Sequence, residues 1–208
     1  MKGNCREMEV GGTQLIIYDH DAPPDSDASS SAPVGASLWD CAIVLAHYLP
    51  SVPLAGKSVV ELGAGTGLPG LTAAKLGSSR VVLTDLPELI PGLRRNVEAN
   101  ELVDGVEVRP LRWGDEGDCS ALGPPFDVVL MSDLLYNVSA APGLCQSIRA
   151  LSDAQTLILL SYELRAGTTE CFQVLRRAGF RWRKIGSEDL HPVWQSEDIG
   201  IFRLFRDD

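Results

Sequence analysis

The sequence is short of the residues that usually announce a chemistry. Its three histidines, His20, His47 and His191, fall in a predicted linker, a predicted helix and a predicted loop, and no serine, histidine and acid set can be argued from their spacing. Five cysteines (Cys5, Cys41, Cys119, Cys145, Cys171) are scattered without a C-x-x-C pair, which argues against a zinc site and a disulfide framework. Basic residues are few: 18 Lys and Arg against 28 Asp and Glu, a formal net charge of −10. That balance argues against general RNA or DNA binding, which needs a basic face. It suits a basic protein segment as partner. No apolar run reaches transmembrane length, so no membrane partner is expected. MKGNCREMEV lacks the apolar stretch of a signal peptide. A reducing compartment is therefore expected, cytoplasmic with a nuclear share open. No Gly-Lys-Ser/Thr follows the glycine loop, and Lys57 precedes its strand, so a P-loop is excluded.

What is present is rhythm. The chain has 208 residues, 45% hydrophobic and 22% charged, enough for one ordinary domain. Two apolar runs around Gly11-Gly12 predict a hairpin within residues 1–19. Residues 20–36 (HDAPPDSDASSSAPVGA) hold almost nothing to bury and read as a flexible linker. Ser37 is placed to cap a helix over 38–49, where Leu38, Ala42, Leu45 and Leu49 recur at helical spacing. From there to residue 208, short apolar runs alternate with helical patterns. Strands are predicted at 58–62, 80–84, 106–110, 127–131, 156–161, 180–185 and 199–205. Helices are predicted near 67–76, 87–101, 138–152 and 167–178. The fold class is α/β: a Rossmann-like, doubly wound, mostly parallel seven-stranded sheet with helices on both faces. Only a loop joins the last two strands, so that pair should be antiparallel.

Ligands of such sheets bind beyond the carboxyl ends of the strands. Gly63-Ala64-Gly65-Thr66-Gly67 follows the first strand. Gly65 to Gly70 spells G-x-G-x-x-G, and Asp85 lies 20 residues past Gly65, as a dinucleotide site would require. Glu61 argues otherwise. A carboxylate two residues before Gly63 would repel a pyrophosphate and tolerate a sulfonium and an amino group. E-x-G-x-G-x-G thus suits S-adenosylmethionine better than NAD, unless Glu61 faces solvent or caps an amide. Asp85, in T-D-L with Leu86, can accept both ribose hydroxyls of either cofactor, or cap the helix that begins at Pro87. Trp113 follows the third strand, where an adenine should stack, or is a core residue. Trp39 could close over the amino-acid end of the cofactor, or pack its helix on the sheet.

The stretches LWDCAIVLAHYL, VVELGAGTGLPGLTAAKLG, VVLTDLPELIPGLRRNVEAN, LRWGD, FDVVLMSDLLY, SYELR and SEDIGIF run in order from about residue 37 to 203. Together they resemble the class I, seven-strand S-adenosylmethionine-dependent methyltransferases, and within them lysine methyltransferase family 16. The resemblance implies that Trp39, Gly63, Ala64, Gly65, Asp85, Leu86, Trp113 and Ser132 bind S-adenosyl-L-methionine. It implies that Asp133-Leu-Leu-Tyr136 lines the mouth where a substrate nitrogen enters. It also implies a protein substrate of the chaperone or AAA-ATPase type, and we expect a monomer. One departure concerns that substrate: Asn137, Val138 and Ser139 follow the motif tyrosine, where relatives often carry acidic residues.

Methylating a lysine first requires a neutral amine. With a pKa of about 10.4, roughly one lysine in a thousand is neutral at physiological pH, a penalty of about 4 kcal/mol. Asp133 is the expected holder of the ammonium, unless it is a helix cap, and Tyr136 the expected aromatic wall. Tyr162 and Glu163, at the next strand end, are second candidates. Other readings remain open: a methyltransferase for a small molecule or another protein nitrogen, a non-catalytic module of this fold, and an NAD-dependent oxidoreductase.

Overall fold

Along each central strand, successive side chains turn to opposite faces, and here both faces are apolar. Val59, Val81, Val128 and Leu159 join one buried cluster, while Val60, Val82, Val129 and Leu160 join another. A strand apolar on both sides is stable only between two layers. The computed structural model describes residues 4–20, 34–165 and 168–207 and shows that arrangement.

The chain opens with a hairpin, β1 (Cys5–Val10) and β2 (Thr13–Tyr18), turned by Gly11 and Gly12 at φ 57° and 77°. Two consecutive positive φ angles suit glycine, which has no Cβ to clash. Helix α1 (Asp40–Tyr48) leads to β3 (Ser58–Leu62), α2 (Leu68–Lys75), β4 (Arg80–Asp85), α3 (Ile90–Ala99) and β5 (Val106–Pro110). Then follow α4 (Glu116–Ser120), β6 (Val128–Ser132), α5 (Ala141–Leu151), β7 (Leu157–Glu163), α6 (Thr168–Arg177), β8 (Phe180–Lys184) and β9 (Ile199–Arg206). The seven-stranded sheet has the order β5-β4-β3-β6-β7-β9-β8. Strand β9 is antiparallel to both β7 and β8, and the other pairs are parallel. The winding reverses between β3 and β6, which opens a crevice at their carboxyl ends. The hairpin, α1, α2 and α3 cover one face; α4, α5 and α6 cover the other.

The hairpin is bonded to the sheet's own helices. Asn96 of α3 accepts from Tyr18 N (2.9 Å) and donates to Tyr18 O (3.0 Å) and to Thr66 O (2.9 Å). One turn later, Asn100 pairs with both backbone groups of Ile16. Val10, Leu15 and Ile17 are buried in the same cluster as α1 and α2.

Three expectations change in detail. Helix α1 begins at Asp40 with Trp39 at its N-cap, so Ser37 does not cap it. The helix expected over 87–101 is a 3-10 turn, Pro87–Leu89, followed by α3, whose second residue is Pro91. Of the segment read as a linker, residues 21–33 lie outside the described residues. Its end is folded: Val34–Ala36 form a 3-10 turn, Ala36 is buried, and Ala36 O accepts from His20 N (2.7 Å).

Candidate active site

The crevice holds a cavity of about 700 Å³, a size typical of small-molecule sites. Its floor is the glycine loop. Gly63, Gly65 and Gly67 sit at φ 56°, 55° and 84°, in the left-handed region. A Cβ on Gly63 would lie 2.6 Å from Leu134 Cδ2, and one on Gly65 would lie 3.0 Å from Gly35 O. Ala64 completes the lining here. These positions need glycine because the backbone is left-handed there and the loop packs closely against Leu134 and Gly35.

Asp85, at the end of β4, organises the loop. Its Oδ2 accepts from Gly65 N and its Oδ1 from Leu86 N, both at 2.7 Å. Burial raises its pKa, and the two N–H groups oppose that rise. Trp113 reaches the cavity from the segment after β5, close to Gly63. Trp39, Leu86 and Tyr136 are 48%, 42% and 52% exposed and form an open rim.

The wall after β6 is polar and incomplete. Ser132 Oγ and Asp133 Oδ1 are buried and have no hydrogen-bond partner among the described residues. Buried polar atoms left in that condition are rare and costly, so they mark where a ligand's groups belong. Asp133 itself adopts φ 55°, unusual for a residue with a Cβ. Its N–H is tied to Ser161 O at 2.8 Å.

A glycine floor, a buried carboxylate, an indole and unpartnered acceptors fit a molecule with an adenosine end and a positively charged end. Residues 25–177 match the sequence profile of the lysine methyltransferase family. The chain belongs to that family. Protein N-lysine methyltransferase METTL21A of Danio rerio is 36% identical over 179 residues, spanning 83% of this chain and 78% of its own. EEF1A lysine methyltransferase 3 of Xenopus tropicalis is 33% identical over 200 residues, spanning 94% and 82%. The glycopeptide N-methyltransferase MtfA, complexed with sinefungin, shares the fold at a TM-score of 0.64 and 13% identity, over 90% of this chain and 100% of that one. As a member of the lysine methyltransferase family, the chain is an enzyme, and its cofactor is S-adenosyl-L-methionine.

Three residues expected in the site stand elsewhere. Glu61 is buried under α2, where its Oε2 accepts from Gly70 N (2.8 Å), and it does not line the cavity. Burial pushes its carboxyl up from 4.5 to about 8. There it holds the first turn of α2. Tyr162 is 1% exposed, packs edge-on against Phe172 at 5.7 Å, and donates to Leu135 O (3.3 Å). It is a core residue of the opposite face. Glu163 ends β7 outside the cavity lining, 3.4 Å from Arg165. Several lining residues were not anticipated, Gly35 and Arg165 among them. Gly35 lies within the predicted linker, and Arg165 lies at the end of SYELR, a stretch noted only for its resemblance.

Proposed function

We propose that this enzyme methylates a lysine Nζ on a protein substrate, with Asp133 receiving the incoming ammonium. The observation that carries this reading is that Asp133, one of whose carboxylate oxygens has no partner, lines an open-rimmed cavity. An acceptor there suits a cationic donor, and the exposed Trp39 and Tyr136 leave room for a chain too large to be enclosed.

S-adenosyl-L-methionine supplies a sulfonium methyl that the amine lone pair takes, the C–S bonding pair passing to sulfur to leave neutral S-adenosylhomocysteine. This chain's residues orient the partners. Gly63 and Gly65 allow close backbone approach. Asp85 offers carboxylate oxygens for ribose hydroxyls, and Trp113 offers a flat face for adenine. Asp133 draws the ammonium to the mouth. Desolvation there lowers the amine's pKa, and its proton leaves to water before attack. Tyr136 keeps its phenolic proton, because partial desolvation, with Asp85 and Asp133, raises its pKa even though half of the residue is exposed. It can therefore donate a hydrogen bond as well as form a wall.

The sequence resemblance favours a chaperone or AAA-ATPase type of target, and a relative named for EEF1A keeps an elongation factor in view. Five free cysteines, four of them buried, support a cytoplasmic setting.

Calorimetric titration with S-adenosylhomocysteine, with NADH as control, tests the cofactor. Incubation of a cell extract with labelled S-adenosyl-L-methionine tests the acceptor. Labelled methyl-lysine in the protein hydrolysate is expected, and label confined to small molecules would refute the protein reading.

A further inference from the structure

Arg165 lines the cavity beside Asp133. Its guanidinium pairs with Asp133 Oδ2 and lies 3.4 Å from Glu163 Oε2. The two carboxylate oxygens of Asp133 therefore have different fates: Oδ2 is held by a resident cation, and Oδ1 is buried without a partner. Asp133's backbone, at φ 55° and tied to Ser161 O, keeps the carboxylate in that pose.

This arrangement answers a conflict in the chemistry. A lone carboxylate would bind a lysine ammonium well and raise its pKa, keeping it protonated and unreactive. A second cation on the same carboxylate weakens that effect and takes only one of its two oxygens. We propose that Arg165 is a positioning residue that balances the charge of Asp133, so that the substrate lysine is held without being locked in its protonated form. This rests on the lysine reading of the site.

The other groups facing Asp133 do not supply that balance. Glu163 is negative and shares Arg165. Asp85 is negative and bound to two backbone N–H groups. The half-exposed Tyr136 and the buried Cys41 thiol of α1 both have raised pKa values and are neutral. Arg112 lines the cavity from the segment after β5 and is not paired with Asp133.

The probe is n-butylammonium, a lysine side-chain mimic, titrated at pH 7.5 into protein saturated with S-adenosylhomocysteine. Loss of one nearby, partly screened charge is expected to tighten binding to Arg165→Gln by about ten-fold. Arg165→Lys is expected to stay near the wild-type value, and Asp133→Asn is expected to lose binding. Structural damage weakens binding, so a gain distinguishes the two causes. Labelling of extract protein by Arg165→Gln should also need a pH about one unit higher for half-maximal rate. Unchanged or weaker amine binding by Arg165→Gln, or an unshifted pH profile, overturns the proposal. Arg165→Met removes the charge and keeps the stem; if neither it nor Arg165→Gln binds S-adenosylhomocysteine, Arg165 is a structural support and the proposal fails. If wild type and every Arg165 variant ignore the amine while binding S-adenosylhomocysteine, the lysine reading of Asp133 fails with it. The same holds if Asp133→Asn binds the amine as tightly as wild type.

Discussion

Asp133 combines a positive φ with a carboxylate that has one partnered and one unpartnered oxygen. The backbone decides which variant is informative. Alanine at φ 55° would add strain of about 1 kcal/mol, whereas asparagine is at ease in the left-handed region. Asp133→Asn removes the charge with little change of shape. We expect methyl transfer to fall by about 100-fold or more, with S-adenosylhomocysteine affinity within about three-fold of wild type. Calorimetry and a labelled-methyl assay on the same preparations check this. Glu61 carries the pH dependence. Its folded pKa, about 8, lies above the 4.5 of an exposed carboxyl. Between those values the folded protein keeps a proton that the unfolded chain releases. Stability therefore falls as pH rises through that window. Urea midpoints should show a loss on the order of 4 kcal/mol from pH 5 to pH 8 from this group. Glu61→Gln can still accept from Gly70 N and should remove its share of the slope.

The elements explain which residues could be read and which could not. Strands β3 to β9 lie within a few residues of their expected bounds, because alternation and length are local properties of the chain. The expected fifth strand stopped at Ser161, but β7 runs to Glu163. That extension moves Tyr162 from a strand end into a strand, and alternation with Leu160 then turns it toward α6. Glu61 follows the same rule, sharing the face of Val59 that α2 covers. Helix α4, only five residues long and capped by Asp115, is too short to show a period. The hairpin shows what an element does beyond its own residues. Asn96 is 0% exposed and joins Tyr18 to Thr66, and Thr66 lines the cofactor cavity. Asn96→Ala leaves three backbone groups without that partner and should cost about 2–4 kcal/mol. Hydrogen exchange at Tyr18 N–H should rise more than at Val60, in the sheet's centre. Weaker S-adenosylhomocysteine binding should accompany it.

At the scale of the whole molecule, the cavity draws its walls from the ends of β3, β4, β5 and β6, from the 3-10 turn before α1, and from the segment after β7. A ligand there links parts that only the folded chain assembles, so it should stabilise the domain as a unit. S-adenosylhomocysteine at 100 times its Kd adds about 2.7 kcal/mol. For a chain of this size that is a rise in Tm of roughly 5–10 °C. A thermal scan with NADH at the same concentration should show none. The sequence by itself determined the α/β class, the glycine loop and the order of the strands along the chain. It also placed Asp85, Trp113 and Asp133 after successive strands. All of these follow from periodicity and from single residues at strand ends. Only the tertiary structure decided that Gly35 would lie against Gly65, that Asn96 would hold Tyr18, and that Glu61 and Tyr162 would be buried away from the ligand. It also decided that Arg165 would take one oxygen of Asp133 and leave the other. The reason is that a side chain's period is set by its own backbone. Its partner depends on which strand and loop ends the winding of the sheet brings together.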